Sequence, residues 1–290
     1  MNAELGIGFA FGAMFLWGFG DFLIQKFARR IGDWESLFYI SILGAVVILP
    51  FIYNELPQVL LNVRLLLMLL LASFTLLIAA LLDFETLKKG KIAVAEPIFA
   101  LEIPVSAMLA FFIIDEGVGL VQIILIAGLV MALVLVSLKR YSTGKRAWLE
   151  KGVVIAVLGS IFMGITNFMF GFGARATSAL MINWFTSLFL AIVCLVYLAS
   201  KSGLHRLRLD AHKQKGLLLG MCVLDNGAWI AFAYSMVFAP IAIAVSISQC
   251  YVIITVLLGI FVSREKLKPH QKIGIVLAIA FAIALAAVTG

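Results

Sequence analysis

Residues 92–116, IAVAEPIFALEIPVSAMLAFFIIDE, place two glutamates, Glu96 and Glu102, and two prolines, Pro97 and Pro104, in a stretch long and apolar enough to cross a bilayer. A charge at the middle of a membrane costs about 3 kcal/mol or more on insertion scales, so it faces a cavity, finds a partner or is neutralised by a proton. Glu102 lies at the centre of its span with no lysine or arginine at its depth. It is therefore expected to hold an amine or a proton. Pro97 and Pro104 each remove a helix hydrogen bond and are expected to kink the helix, freeing the carbonyls of Ala93 and Ala100. Backbone freed at that depth survives only where protein or cavity water satisfies it. Glu96 and Glu102 diverge on a straight helix, and a kink at Pro97 lets both approach one cavity.

Other apolar stretches carry isolated polar groups. Asp21 is about a turn and a half inside the first run, with Gln25 one turn further on the same face. Asp225 and Asn226 sit at the centre of CVLDNGAWIAFAY, with Trp229 one turn beyond Asp225, and Gln249 and Tyr251 lie at the centre of the next run. The spacing predicts a substrate site formed by Glu102, Asp225, Asn226, Trp229, Gln249, Tyr251 and Trp17, with Asp21, Gln25 and Glu96 on a proton-coupling and access path. Against this stands the ordinary reading of aromatic side chains in membrane helices as packing or interfacial anchors. Asn183 and Trp184 divide evenly between the two readings. Asp83 and Glu85, beside Lys88, Lys89 and Lys91, are expected at a solvated helix end, paired with those lysines. Gly8 with Gly12, and Gly216 with Gly220, form small-residue pairs expected to let helices pack closely.

The elements that must position these groups are ten apolar runs: 5–28, 35–53, 65–87, 92–114, 118–138, 152–173, 178–199, 216–237, 240–262 and 272–289. The chain of 290 residues is 64% hydrophobic and only 13% charged, and its connections are too short for a soluble domain. It reads as an all-α integral membrane protein of ten transmembrane helices. The first run lacks a basic leader and a small-residue cleavage pattern, so it is expected to be retained. Cys194, Cys222 and Cys250 fall within apolar runs and read as small buried hydrophobes. The net charge of +7 does not imply nucleic acid, because the basic residues follow the connections. The links after runs one, three, five, seven and nine hold 20 of the 22 Lys and Arg, leaving only Arg64 and Arg175 elsewhere. The positive-inside rule puts those five links in the cytoplasm and both termini outside.

Ten helices divide into two five-helix halves, 1–145 and 146–290, which must then lie in opposite orientations. Trp17-Gly18, Asp21 and Arg29 recur 146 residues later as Met163-Gly164, Asn167 and Arg175. Asp115-Glu116 and Gln122 recur 149 residues later as Arg264-Glu265 and Gln271. Inverted repeats of this kind are found in transporters, with the binding site near the midplane between the halves.

Two halves whose fourth helices close on an acidic residue, AFFIIDE at 110–116 and GIFVSRE at 259–265, together with FLWGFGDF at 15–22, resemble the EamA-type branch of the drug/metabolite transporter superfamily. The resemblance covers essentially the whole chain. It implies a basket of helices around a central cavity and the export or exchange of small metabolites, often amino acids. The family is usually described with cytoplasmic termini, so the charge count here is a departure and leaves the direction of transport open.

The charges narrow the cargo. A carrier of phosphorylated compounds needs Arg or Lys in its cavity, and here no basic residue lies deep in a span. Deep carboxylates suit a small amine-bearing substrate such as an amino acid, or a proton exchanged for it. The alternatives are a carrier of organic cations or drugs, or a lipid-moving membrane protein. An enzyme is not expected: His205, His212 and His270 lie in loops, and no metal-spaced or nucleophile–base group is present. No GxxxxGK[ST] is present for ATP-driven pumping. The expected partners are a small molecule, the bilayer (the cytoplasmic membrane of a prokaryote) and protons, without cofactor or nucleic acid, in a monomer or homodimer.

Overall fold

The computed structural model describes residues 2–89, 98–137, 151–201, 215–263 and 268–289. They form α1 (Ala3–Ile31), α2 (Asp33–Ile52), α3 (Leu56–Leu61), α4 (Val63–Lys89), α5 (Glu102–Ile114), α6 (Leu120–Ser137), α7 (Lys151–Ala176), α8 (Ala179–Ser200), α9 (Lys215–Phe238), α10 (Ile241–Ser248), α11 (Tyr251–Ser263) and α12 (Pro269–Thr289). Helix is the form these sequences must take, since hydrocarbon offers no water to backbone N–H and C=O groups and a helix satisfies them internally. Eight helices, α1, α2, α4, α6, α7, α8, α9 and α12, are long and apolar enough to cross a membrane. Large apolar side chains such as Phe51 and Phe112 stand more than 70% exposed on the outside, where acyl chains would meet them. The short α3 was not expected in the second link. Pro57 lies in its first turn, where its missing N–H costs no helix bond.

The fourth and ninth expected spans are not continuous helices. The chain turns at Ala100-Leu101 before α5, and at Gln249-Cys250 between α10 and α11. At the first turn Leu101 N–H donates to Ile98 O (3.0 Å) and Ile103 N–H to Ala100 O (3.3 Å). At the second, Cys250 N–H donates to Ile247 O (3.1 Å) and Val252 N–H to Gln249 O (3.5 Å). Each bond of the first turn thus recurs 149 residues on, the offset that relates Gln122 to Gln271. The expected proline mechanism needs correction. Pro104 is the third residue of α5, where no helix bond is lost, and the carbonyl of Ala100 accepts from Ile103 rather than standing free. The second turn, IAVSISQCYVII, contains no proline. Pro97 lies outside the described residues.

Helix α1 packs along α9, α4 along α7, α2 along α8 and α6 along α12, so every main pairing joins one half of the chain to the other. Glycine permits the closest approaches. An ideal Cβ on Gly18 would stand 2.5 Å from Ile254 Cβ, and one on Gly164 would stand 2.6 Å from Val105 Cβ. Gly164 follows Gly18 by 146 and Ile254 follows Val105 by 149, so one contact is made twice. Of the expected glycine pairs, Gly220 packs against Leu23 and Gly12 touches Ala231, whereas Gly8 and Gly216 face open space; Gly6 also packs closely, against Ala239.

Candidate functional site

A cavity of about 380 Å³ lies among the helices. Trp17, Asp21, Glu102, Asp225, Asn226, Trp229, Gln249 and Tyr251 all line it, although they come from α1, α5, α9, α11 and the turn before α11. The side chain of Gln25, and the whole of Glu96, lie outside the described residues. Pro104 is not part of the lining.

The break in the fourth span sets the position of Glu102. It makes Glu102 the first residue of α5, inside the protein, where the positive end of a helix dipole favours a carboxylate. Glu102 is 6% exposed. Its Oε2 accepts from Gln249 Nε2 at 2.9 Å and from Asn167 Nδ2 at 3.3 Å. Gln249 belongs to the other break, so the two interrupted spans meet through this carboxyl. Asn167, on α7, was not among the expected site residues. Its signal was present in the sequence: it stands 146 residues after Asp21, which lines the same cavity.

Asp21 and Asp225 share a wall. Gly20 lies against Leu224 and the backbone of Asp225, which brings α1 close to α9 at this level. The two carboxyls are near enough to repel each other when both are charged. Asp83 corrects an expectation. It was assigned to a solvated end among lysines, yet it lines the cavity, with its Oδ1 buried and without a hydrogen-bond partner among the described residues. The Asp83, Asp21, Glu102 and Asp225 carboxyls are accompanied by no Lys, Arg or His in the described lining. No three His, Cys, Asp or Glu among the described residues converge as metal ligands.

Aromatic rings close one side. Trp17 packs edge-on to Trp229 at 5.1 Å, with Phe232 at 5.0 Å and Tyr251 at 6.1 Å, and Phe170 lies 4.7 Å from Trp229. Asn226 spends its amide group on backbone, donating to Ile40 O (3.0 Å) and Cys222 O (2.8 Å), and so ties α9 to α2. Asn183 lines the cavity and donates to Ala179 O (2.7 Å) and Trp229 O (3.3 Å), whereas Trp184 packs outside it.

Arg175 closes a second network away from the cavity. It pairs with Glu116 at 2.8 Å and donates to Met236 O (2.7 Å) and Ala239 O (3.0 Å), while Glu116 accepts from Ile241 N–H (2.8 Å). The ends of α7, α9 and α10 are thereby joined to the segment after α5. The lining of the cavity reaches in the other direction, through Ile24, Asp83 and Ser137, toward the ends of α1, α4 and α6 that precede the basic links.

The sequence pattern of the EamA-like transporter family matches residues 4–138 and again residues 150–287. A crystal structure of another protein aligns with a TM-score of 0.75 at 13% identity, covering 98% of this chain and 96% of that one, a likeness of fold. Comparison with curated proteins finds no match. Two copies of one family pattern on an all-helical, cavity-bearing membrane chain assign it: the chain belongs to the EamA-like transporter family, and is a membrane transporter of the drug/metabolite transporter superfamily.

Proposed function

We propose that the chain is a secondary carrier that exports or exchanges small amine-bearing metabolites, amino acids among them, by alternating access, with the proton as its coupling ion. One observation carries this reading: a central cavity lined by four carboxyls and, among the described residues, no cation. An anionic cargo would meet only repulsion there. An ammonium group gains a charge-assisted hydrogen bond from each carboxylate it reaches.

Glu102, fixed by Gln249 and Asn167, receives the amine. Asp225 faces it from α9, and the faces of Trp17, Trp229 and Tyr251 attract a cation or stack on an apolar side chain. Asn226 holds the α2–α9 contact beside the cargo. Asp21, Gln25 and Glu96 belong to the access path. The halves, 1–145 and 146–290, act as inverted repeats that rock about this site, and the turns and glycine contacts recurring at offsets of 146 and 149 support that relation. The Arg175–Glu116 network then opens when the halves reorient. The basic links face the cytoplasm and the termini face outside.

A second reading, a carrier of bulkier organic cations, is favoured by the aromatic cluster. Ligand-induced stabilisation tests whether the cargo is cationic or anionic. At a hundredfold excess over Kd, a bound ligand adds about 2.7 kcal/mol to stability. Lysine, arginine, leucine or choline is expected to raise the melting temperature of the purified protein, and a sugar phosphate is not. Stabilisation by the sugar phosphate alone would refute the proposed cargo class.

A further inference from the structure

Asp83 is the carboxyl that the proposed site leaves without a task. It sits on α4, one wall of the cavity, toward the ends of α1, α4 and α6. Asp83 is half-buried, with one carboxylate oxygen, Oδ1, fully enclosed. Gly159 of α7 leaves a notch there, such that an ideal Cβ would stand 2.7 Å from Asp83 Oδ1 and 3.4 Å from Leu82 Cβ. The oxygen fills the notch, is wholly buried and accepts no hydrogen bond among the described residues. A negative charge on that oxygen loses hydration without return. What it lacks is a positive charge or a proton of its own.

The described groups around it supply neither. Helix α4 packs on α7 and α8, whose contributions to the cavity lining are Met163, Asn167, Phe170, Asn183, Thr186, Ser187 and Leu190, none of them charged. Elsewhere in the lining stand Glu102, Asp21 and Asp225, all acidic, and Tyr251. Glu85 lies two residues on, and the side chains of Lys88, Lys89 and Lys91 are outside those described. Glu102 differs in having two amide donors on its Oε2.

We propose that Asp83 binds the coupling proton of the transport cycle, in the notch made by Gly159, while Glu102 takes the amine. The step is an exchange of single positive charges. A proton bonds to an Asp83 carboxylate oxygen while the cavity holds no cation. It leaves to water when an ammonium group arrives near the four carboxyls, so one positive charge facing them replaces another. This rests on the carrier reading above and adds to it the identity of the proton site.

Two measurements on the full chain separate the claims. In proteoliposomes, uptake of radiolabelled lysine, arginine, leucine and choline is compared with and without an imposed pH gradient. The ratio is expected to exceed one for the native protein and for Asp83→Glu, and to fall to one for Asp83→Asn. A ratio above one in Asp83→Asn, or a ratio of one in the native protein, overturns the proposal. If no probe is transported by the native protein, the carrier reading fails instead. The infrared carbonyl band of a protonated carboxyl then decides the proton site. It is expected in the native protein, lost in Asp83→Asn and displaced in Gly159→Ala. A band unaltered by Asp83→Asn overturns the assignment.

Discussion

Glu102 Oε2 lies 2.9 Å from Gln249 Nε2, so a carboxyl at the start of one interrupted span is held by the amide of the other. The bond joins residues 147 apart, from the two halves of the chain. In the proposed carrier, a ligand on Glu102 would compete with this bond and so act on the contact between the halves.

The first prediction concerns that carboxyl. Glu102→Gln keeps shape and hydrogen-bonding capacity but removes the charge. A hydrogen bond to a charged group contributes about 1.5–3 kcal/mol, so amine transport is expected to fall roughly ten- to a hundredfold. The melting temperature should stay within a few degrees of the native value. Initial rates in proteoliposomes, read beside a thermal melt, check both halves of this statement.

Arg175 and Glu116 give the second. The pair is partly buried, with side chains 25% and 12% exposed, and it also holds backbone groups of Met236, Ala239 and Ile241. Breaking a buried pair by truncation costs about 3–5 kcal/mol, and an exposed one contributes below about 1 kcal/mol. Arg175→Ala is expected between these limits, lowering the melting temperature. The double variant with Glu116→Gln should cost less than the two single losses added together, which a thermal double-mutant cycle measures.

A third follows from the glycines. Alanine at Gly18 would crowd the side chain of Ile254, whereas alanine at Gly164 would crowd Val105 and also stand 3.0 Å from the carbonyl of Glu102. Overpacking of this kind costs about 1–3 kcal/mol. Both variants should melt earlier. Gly164→Ala should lose more transport, because it displaces the backbone that carries Glu102. Equal transport losses at equal stability would separate the glycine contact from the site.

The charge count predicts topology. With the five basic links in the cytoplasm, cysteine placed at Leu61, an 86% exposed residue between α2 and α4, is expected to react with an impermeant maleimide added to intact cells. Cysteine at Lys201, after α8, is expected to react only after lysis. The reverse pattern would return the chain to the orientation usual for its family.

Much of this was legible in the residues. Glu102, Asp225 and Trp229 could be placed at a shared depth because a carboxylate or a tryptophan is conspicuous in apolar sequence, and depth follows from the helical rise. The breaks were less legible. Pro97 and Pro104 drew attention to the first, but Gln249-Cys250 has no helix-breaking residue, and only its offset of 149 from Ala100-Leu101 marks it. The neighbouring lysines, whose side chains lie outside the described residues, suggest a solvated pair for Asp83, whereas its Oδ1 is enclosed at the cavity wall. Its true partner surface is Gly159, 76 residues away, which no local pattern reveals. Asn167 is legible as the repeat counterpart of Asp21 but not as a site residue, because a neutral amide costs little in a membrane and so stands out little. Arg175 and Glu116 are legible as repeat positions, but their pairing appears only when the fold brings the end of α7 to the segment after α5.

The most direct test of the account is counterflow in proteoliposomes loaded with unlabelled amines and offered labelled lysine, arginine, leucine or choline. In the native protein, saturable exchange of at least one of these is expected, falling roughly ten- to a hundredfold in Glu102→Gln. Saturable exchange that Glu102→Gln leaves intact would contradict the account.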